Sequence, residues 1–379
     1  MLDSWLIEVE DAYRRPLSIK KEEVKEEVKE VVKAEVKEEV KEVVKAEVKE
    51  VVEKKAFTID KSLIDMENWE EHYVRKGDPS KPTYYIIRRK PTSSGIWSHF
   101  HIYVGHIRYA LSKGWIPVID MQNTYNIYLG SEKVGKENAW EYYFEQPLRI
   151  GLEEAYNGEN IILSREFVSF PQTNTILAYE NKGKYLEPYR NLLKQGYLRV
   201  KEDLYQEILA YWKKLFAPTD RVLGVKLRGT DYTDIKPKNH PIPPPIEYAR
   251  DVILEKLRIW KCNKIFLSTE DKTIAQFFKD TFVDGFGTFY FTLDKKYVNY
   301  DGIYGVGRCL TNRENDRFLN GKEYVMEMVM LSMCNSFVTA MTSGSLGVMI
   351  LANNFENVHA FNLGNYGVMP VDWRKLIEQ

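Results

Sequence analysis

LGVKLRGTDYT, residues 223–233, changes character within a single step. The apolar run around it, Val222, Leu223, Val225 and Leu227, reads as a short buried strand. The run ends in Arg228, Gly229, Thr230 and Asp231: a guanidinium, a bare backbone, a hydroxyl and a carboxylate. Such an exit belongs either to a core strand that simply leaves the core or to a strand whose carboxyl end meets an anion. The neighbouring sequence has to separate the two.

Downstream, the pattern alternates. A PIPPP loop at 241–245 leads into helical spacing over 246–259, then strand KIFLST (264–269), helix 271–280, strand TFYFT (288–292) and helix 321–334. Strand SFVTA (336–340) follows, then TSGSLG and helix 346–353. This order predicts a doubly wound α/β sheet. Upstream, TYYIIRR (83–89) reads as a strand, PTSSG as a turn, 96–114 as a helix stopped by Gly114, and WIPVIDM (115–121) as the next strand. Residues 140–215 read as helical segments with short loops. The expected architecture is two Rossmann-like α/β units facing a cleft, with ligand outside the carboxyl ends of the strands.

Three strands of the second unit end in polar residues. They deliver Arg228 to Asp231, then Ser268, Thr269, Glu270 and Asp271, and last Thr342, Ser343, Gly344 and Ser345 at a helix start. In a parallel sheet these exits share one rim. Forked guanidinium donors beside a helix amino terminus suit a diphosphate, and the Asp271 carboxylate suits the amino groups of a guanine edge. Each residue alone has a plainer explanation: Ser343 as an N-cap, Asp271 as the cap of its own helix, Asp231 as a turn former. The signal is their recurrence at three exits.

KLRGTD (226–231) resembles the HxRRxD or HxRRGD motif of the GDP-fucose-dependent fucosyltransferases, the superfamily of α1,2-, α1,6- and protein O-fucosyltransferases. The resemblance runs over roughly 220–345. It includes the pair His240 and Pro241, STED (268–271) at a strand end, and a Thr/Ser-rich strand end before the last helix. Motif order is most similar to the α1,6 and nodulation-type enzymes. The resemblance implies a GT-B fold with an acceptor-side domain at 56–215 and a nucleotide-sugar domain at 216–365, followed by a terminal segment, 366–379. It implies that Arg228 binds the pyrophosphate, that Asp271 meets the base, and that Thr342 and Ser343 lie near the phosphates. The donor-binding set is then Lys226, Arg228, Thr230, Asp231, His240, Asp271, Thr342, Ser343 and Ser345. Lys226 stands where the motif has histidine, and Gly229 where it has a second arginine. The implied reaction is an inverting transfer from a nucleotide-sugar donor to a glycan acceptor. Arg228 stabilises the leaving group and Asp234, the next acid after the motif, is the candidate base, with a base from the amino-terminal domain, or no strong base, as the alternatives. No DxD motif stands at a strand end, so neither a metal nor a cofactor is expected. The implied setting is a bacterial cytoplasmic enzyme of surface-polysaccharide assembly, peripheral to the inner membrane at most. A different nucleotide sugar, or a non-catalytic sugar-nucleotide scaffold, stays open as an alternative. Over 57–215 only the strand–SSG–helix opening is similar.

The rest of the chain sets bounds. A net charge of −1 over 379 residues recruits neither nucleic acid nor anionic lipid, and no apolar run has the length of a membrane span. Cys262, Cys309 and Cys334 are odd in number and have no CxxC spacing, which suits a reducing compartment. After a head at 1–20 comes a low-complexity tract, 21–55, in which EVKEEVKEVVKA occurs at 23–34 and again at 35–46. Its valines recur every fourth residue, so on an α-helix the stripe drifts by about 40° per step and forms no heptad seam. Such a tract reads as a helical spacer, with coiled-coil-like self-association as the alternative. DGIYGVG (301–307) reads as a mobile loop rather than a phosphate-binding motif. His99, His101 and His106 share one helix, where HxH spacing points two rings to different faces and disfavours a metal. Trp140 and Tyr143 read as core before sugar platform. Glu327, on an apolar helix, needs a partner.

Overall fold

The computed structural model describes residues 59–173, 175–176, 184–282, 288–290, 311, 313–352 and 355–367. The head, the 21–55 repeat, Cys309, the 301–307 loop and the segment from 368 onward lie outside the described residues. Lys61–Gln379 forms one compact unit, distinct from Met1–Asp60.

The first sheet has four strands: β1 (His72–Lys76), β2 (Thr83–Ile87), β3 (Ile116–Ile119) and β4 (Asn160–Leu163), in the order β1-β4-β2-β3. β2 pairs in parallel with both β3 and β4, whereas β1 lies antiparallel against β4. The sequence pattern did not reveal β1 or β4. NIIL in β4 is buried throughout, and a four-residue apolar run has no period by which to tell strand from helix. β1 is an edge strand of mixed exposure without apolar alternation. Helix α1 (Ile96–Ser112) crosses from β2 to β3, and α2 (Leu152–Asn157) precedes β4. α3 (Glu187–Lys194) and α4 (Glu202–Leu215) lead to the second half.

The second sheet contains β5 (Val222–Lys226), β6 (Lys264–Ser268), β7 (Thr288–Tyr290), β8 (Ser336–Ala340) and β9 (Asn357–Phe361). All its pairings are parallel, in the order β7-β6-β5-β8-β9. The intervening helices are α5 (Asp231–Asp234), α6 (Ile246–Ile259), α7 (Lys272–Thr281), α8 (Asp316–Ser332) and α9 (Ser343–Leu351). α8 begins five residues before the expected 321, and α9 begins at Ser343 rather than 346.

Alternation along β5 explains its two-sided burial. Leu223, Val225 and Leu227 enter a core shared with Ala249, Ile253 and Leu257 of α6 and Phe278 of α7. Gly224 faces α8, where a Cβ would lie 3.0 Å from Cys334 Sγ and 3.1 Å from Leu331 Cδ2, so glycine lets that layer approach. The two halves meet through α1 and α9: a Cβ on Gly347 would lie 2.2 Å from the Trp97 ring. Trp97 Nε1 also donates to the Tyr324 carbonyl (3.3 Å), and Arg190 of α3 donates twice to the Met349 carbonyl (3.0 and 2.7 Å).

From β5 the chain winds outward through β6 to β7, then returns to the other side of β5 for β8 and β9. The connection reverses between β5 and β8, and such a reversal opens a crevice at the carboxyl ends of the strands. In the first sheet the corresponding reversal, between β2 and β4, is bridged by Arg88. Its backbone N–H donates to Ser164 Oγ (3.0 Å), and its guanidinium donates to the carbonyls of Asp65 and Asn68 and lies over Trp69.

Candidate active site

Register brings the three polar exits side by side. Lys226 pairs with Ser268 on one flank and Thr339 on the other, and the Leu227 N–H donates to the Ser268 carbonyl (3.1 Å). The β5 and β8 exits therefore frame the crevice, and the β6 exit supports it.

The β5 exit is a tight turn held by acids from β6. Glu270 Oε1 accepts from the Gly229 N–H (3.0 Å), and Asp271 Oδ2 accepts from the Thr230 N–H (2.9 Å). Thr230 has φ 48° and ψ −119°. A β-branched residue in that region carries on the order of 1–3 kcal/mol of strain and persists only where its surroundings over-determine it. They do so here: besides the amide bond, Thr230 Oγ1 donates to Asp231 Oδ1 (3.1 Å) and Glu270 Oε1 (3.3 Å).

This turn presents Arg228. Its Nη2 donates to Asp231 Oδ1 (2.8 Å), its Nε lies 3.4 Å from Glu270 Oε1, and its guanidinium stacks over the Tyr232 ring at 4.6 Å. The Nε contact has ion-pair distance but not hydrogen-bond alignment, so among the described residues buried Nε finds no acceptor and buried Glu270 Oε2 no donor. Burial opposes the Arg228 charge, but Glu270 and Asp231 outweigh it and hold the guanidinium above its ordinary range. Burial likewise pushes the Glu270 carboxyl up, while Arg228, Lys226 and the Gly229 N–H outweigh that and hold it below the ordinary carboxylate range. Lys226 is 1% exposed, with Nζ 4.0 Å from Glu270 Oε2 and over the Tyr324 ring at 5.3 Å. Two cations and two carboxylates thus occupy one rim.

At the β8 exit Thr342, not Ser343, caps α9: its Oγ1 accepts from the Ser345 N–H (3.2 Å). Ser343 is the first helical residue. The leading N–H groups of a helix have no intrahelical acceptor, so this terminus offers donors to the crevice. Ser345 is fully buried, and its hydroxyl donates to the Ala340 carbonyl (2.6 Å), which turns it into the fold rather than toward the rim.

Asp271 caps α7, with Oδ1 accepting from Thr273 (2.7 Å) and Ile274 (3.1 Å), so three backbone donors occupy its carboxylate. His240 is exposed, with its ring edge-on to Tyr232 at 5.2 Å. Its loop is tied to the segment after β9 by Asn239 N–H to Tyr366 carbonyl (2.9 Å) and Tyr366 N–H to His240 carbonyl (3.0 Å). Asp234 is exposed at the end of α5.

The chain is similar in structure to solved fucosyltransferases. One is NodZ alpha-1,6-fucosyltransferase soaked with GDP-fucose, at 15% identity and TM-score 0.44, covering 76% of this chain and 98% of that one. A second is fucosyltransferase NodZ from Bradyrhizobium, at 15% identity and TM-score 0.42, covering 71% and 93%. A third is POFUT1 in complex with GDP-fucose, at 10% identity and TM-score 0.44, covering 75% and 99%. No protein-family model and no curated protein sequence matches the chain.

Sequence reading missed Glu270 and Tyr324. Glu270 stands beside Asp271 in STED, and only the register shows that it is the acid facing Arg228 while Asp271 turns back to its helix. Tyr324 sits in an apolar helix and carries no motif. The bare backbone at 229 also has a local reason: a Cβ there would lie 2.2 Å from Asp271 Oδ2. Glu327 finds its partner in Ser268, whose hydroxyl donates to it (2.8 Å). Trp140 and Tyr143 are core: Trp140 stacks on Phe144 at 4.3 Å, and the Tyr143 hydroxyl donates to the Phe318 carbonyl (2.9 Å). Burial lowers the pKa of His101 and of His106 to about 4 and that of His99 well below its ordinary value, and each ring meets a protein partner on or beside α1. Among the described residues no cluster of three or more His, Cys, Asp or Glu is placed to hold a metal, and no helix is long and apolar enough to cross a membrane.

Proposed function

We propose that this chain is a glycosyltransferase that takes the sugar of a nucleoside-diphosphate donor, GDP-fucose, to a glycan acceptor. The observation that carries the reading is that β5 and β8, neighbours in the sheet at the chain reversal, exit into Arg228 and into the α9 amino terminus. A fixed fork of donors and a row of helix N–H groups form a cradle for a diphosphate in which charge grows as the glycosidic bond breaks. The acceptor hydroxyl attacks the anomeric carbon from the face opposite the diphosphate. The carbon–oxygen bond to the diphosphate breaks, and the proton passes to a base, for which exposed Asp234 is the candidate. Configuration inverts. Arg228 and the helix terminus supply the positive field at the leaving group, so the reaction runs without a metal. The wider reading is a GT-B arrangement, with the acceptor on the first-sheet side, working in bacterial surface-polysaccharide assembly.

A second reading, a donor with a base other than guanine, is favoured by Asp271. Three backbone N–H groups already hold its carboxylate, so it is not open to a guanine edge without rearrangement. Thermal shift against GDP, UDP, ADP and CMP separates the two. A ligand at about 100 times its Kd adds about 2.7 kcal/mol to stability, well within detection. Stabilisation by GDP alone supports the fucose donor, and by UDP alone rejects it. Stabilisation by none leaves a scaffold without donor chemistry.

A further inference from the structure

Tyr324 occupies a position that no motif predicts. It projects from α8 between the two halves. Its ring underlies the Lys226 ammonium at 5.3 Å, and its edge lies 3.9 Å from where a Gly95 Cβ, at the start of α1, would stand. Its hydroxyl reaches the first turn of α9, where a Cβ on Gly344 would lie 2.5 Å from the oxygen. No hydrogen bond to that hydroxyl is found among the described residues. Yet it is close enough to Arg228 for the two to interact electrostatically, Arg228 Nε also finds no acceptor among the described residues, and the leading N–H groups of α9 lie beside it.

We infer that Tyr324 is a further binding residue of the donor site, its hydroxyl donating a hydrogen bond to the diphosphate held by Arg228 and the α9 amino terminus. The inference rests on the diphosphate reading above and adds to it a third donor, from a third element. Burial first, with Glu270 in support and Arg228 opposing, holds the phenol above its ordinary range. It is therefore an O–H donor, not a phenolate, across the neutral range. The ring is held under the Lys226 ammonium and in a near-perpendicular contact with the Trp97 ring (6.4 Å), so the hydroxyl is preorganised where a mobile lysine or serine would have to be ordered on binding. Gly344 fits the same logic, because any side chain there would push the hydroxyl off the helix terminus.

Tyr324→Phe removes one oxygen and keeps the ring. Titration calorimetry with GDP and with inorganic pyrophosphate, on the wild type and the Phe variant, tests the assignment. A lost hydrogen bond to a charged acceptor predicts binding weaker by roughly 10-fold or more. The same factor is expected for both probes, because the hydroxyl meets the phosphates they share, and the melting temperature without ligand stays unchanged. Equal binding by wild type and Phe variant overturns the inference alone, as does a loss seen for GDP but not for pyrophosphate. A wild type that binds neither probe overturns the donor reading and the inference with it.

Discussion

Gly229→Ala is the sharpest test of how the β5 exit is built. A single methyl at 229 would stand 2.2 Å from Asp271 Oδ2, 2.7 Å from Cγ and 2.8 Å from Cβ. Carbon and oxygen pack at about 3.5 Å, so the nearest approach is short by roughly 1.3 Å. A terminal oxygen alone could swing aside, but the contact with Asp271 Cβ requires the base of the side chain to move as well. That movement breaks the bond from the Thr230 N–H (2.9 Å) and loosens the α7 cap on Thr273 and Ile274. An amide left unpaired costs about 1–3 kcal/mol and a lost cap about 1 kcal/mol, so the variant should lose on the order of 2–4 kcal/mol. The second effect is on function. Thr230 keeps its φ of 48° only while both acids hold it, and its relaxation re-aims Arg228 one residue on the other side of the methyl. Urea unfolding measures the first effect and GDP calorimetry the second. The double variant Gly229→Ala with Asp271→Gly supplies the control: all three contacted atoms are gone, so the two losses should fall well short of additive. A Gly229→Ala protein within about 0.5 kcal/mol of wild type, binding GDP as well, would show that the turn is not held as described.

Arg228→Lys keeps the charge and loses the fork, and should reduce turnover by about 100-fold or more with little change in melting temperature; wild-type turnover rejects its role at the leaving group. Turnover should survive EDTA, and its loss on chelation with recovery on adding magnesium or manganese would put a metal on the diphosphate. Because the folded Glu270 carboxyl is held below its ordinary value, its contribution to stability is full above the unfolded value of about 4.3 and is lost as pH falls through the folded one. Glu270→Gln should therefore be less stable than wild type at pH 6 and should close that gap toward pH 3, read from urea midpoints; curves that stay parallel would remove Glu270 from the network.

Four of the five strands of the second sheet were legible because their signals are local; β9 (NVHAF) was not read. Five-residue apolar runs such as VLGVK and SFVTA bounded by polar exits fix strand ends to within a residue or two, and the three exits announced a common rim before any pairing was known. The first sheet was only half legible. TYYII and IPVI carry clear runs, but β4 hides in a stretch with helical neighbours, and β1 takes its place only because β4 leaves an open edge. Side-chain roles within the site were hardest to read, for a reason particular to strand exits. Adjacent residues there point different ways, and which one faces the ligand depends on a register that no local pattern encodes. Glu270 and Asp271 illustrate this: the two acids are neighbours in the chain, yet one faces Arg228 and the other caps α7.

That difference bears on how the crevice treats an anion. With Glu270 and Asp231 on its guanidinium, Arg228 is already oriented and partly neutralised before any ligand arrives. A lone phosphate must compete with both carboxylates through one shared cation. A diphosphate that also reaches the α9 N–H groups gains contacts the carboxylates cannot match, because they are tied to β5 and β6. The built-in acids therefore weaken binding of small anions more than of an extended diphosphate. The rim should discriminate by the span of the ligand as well as by its charge.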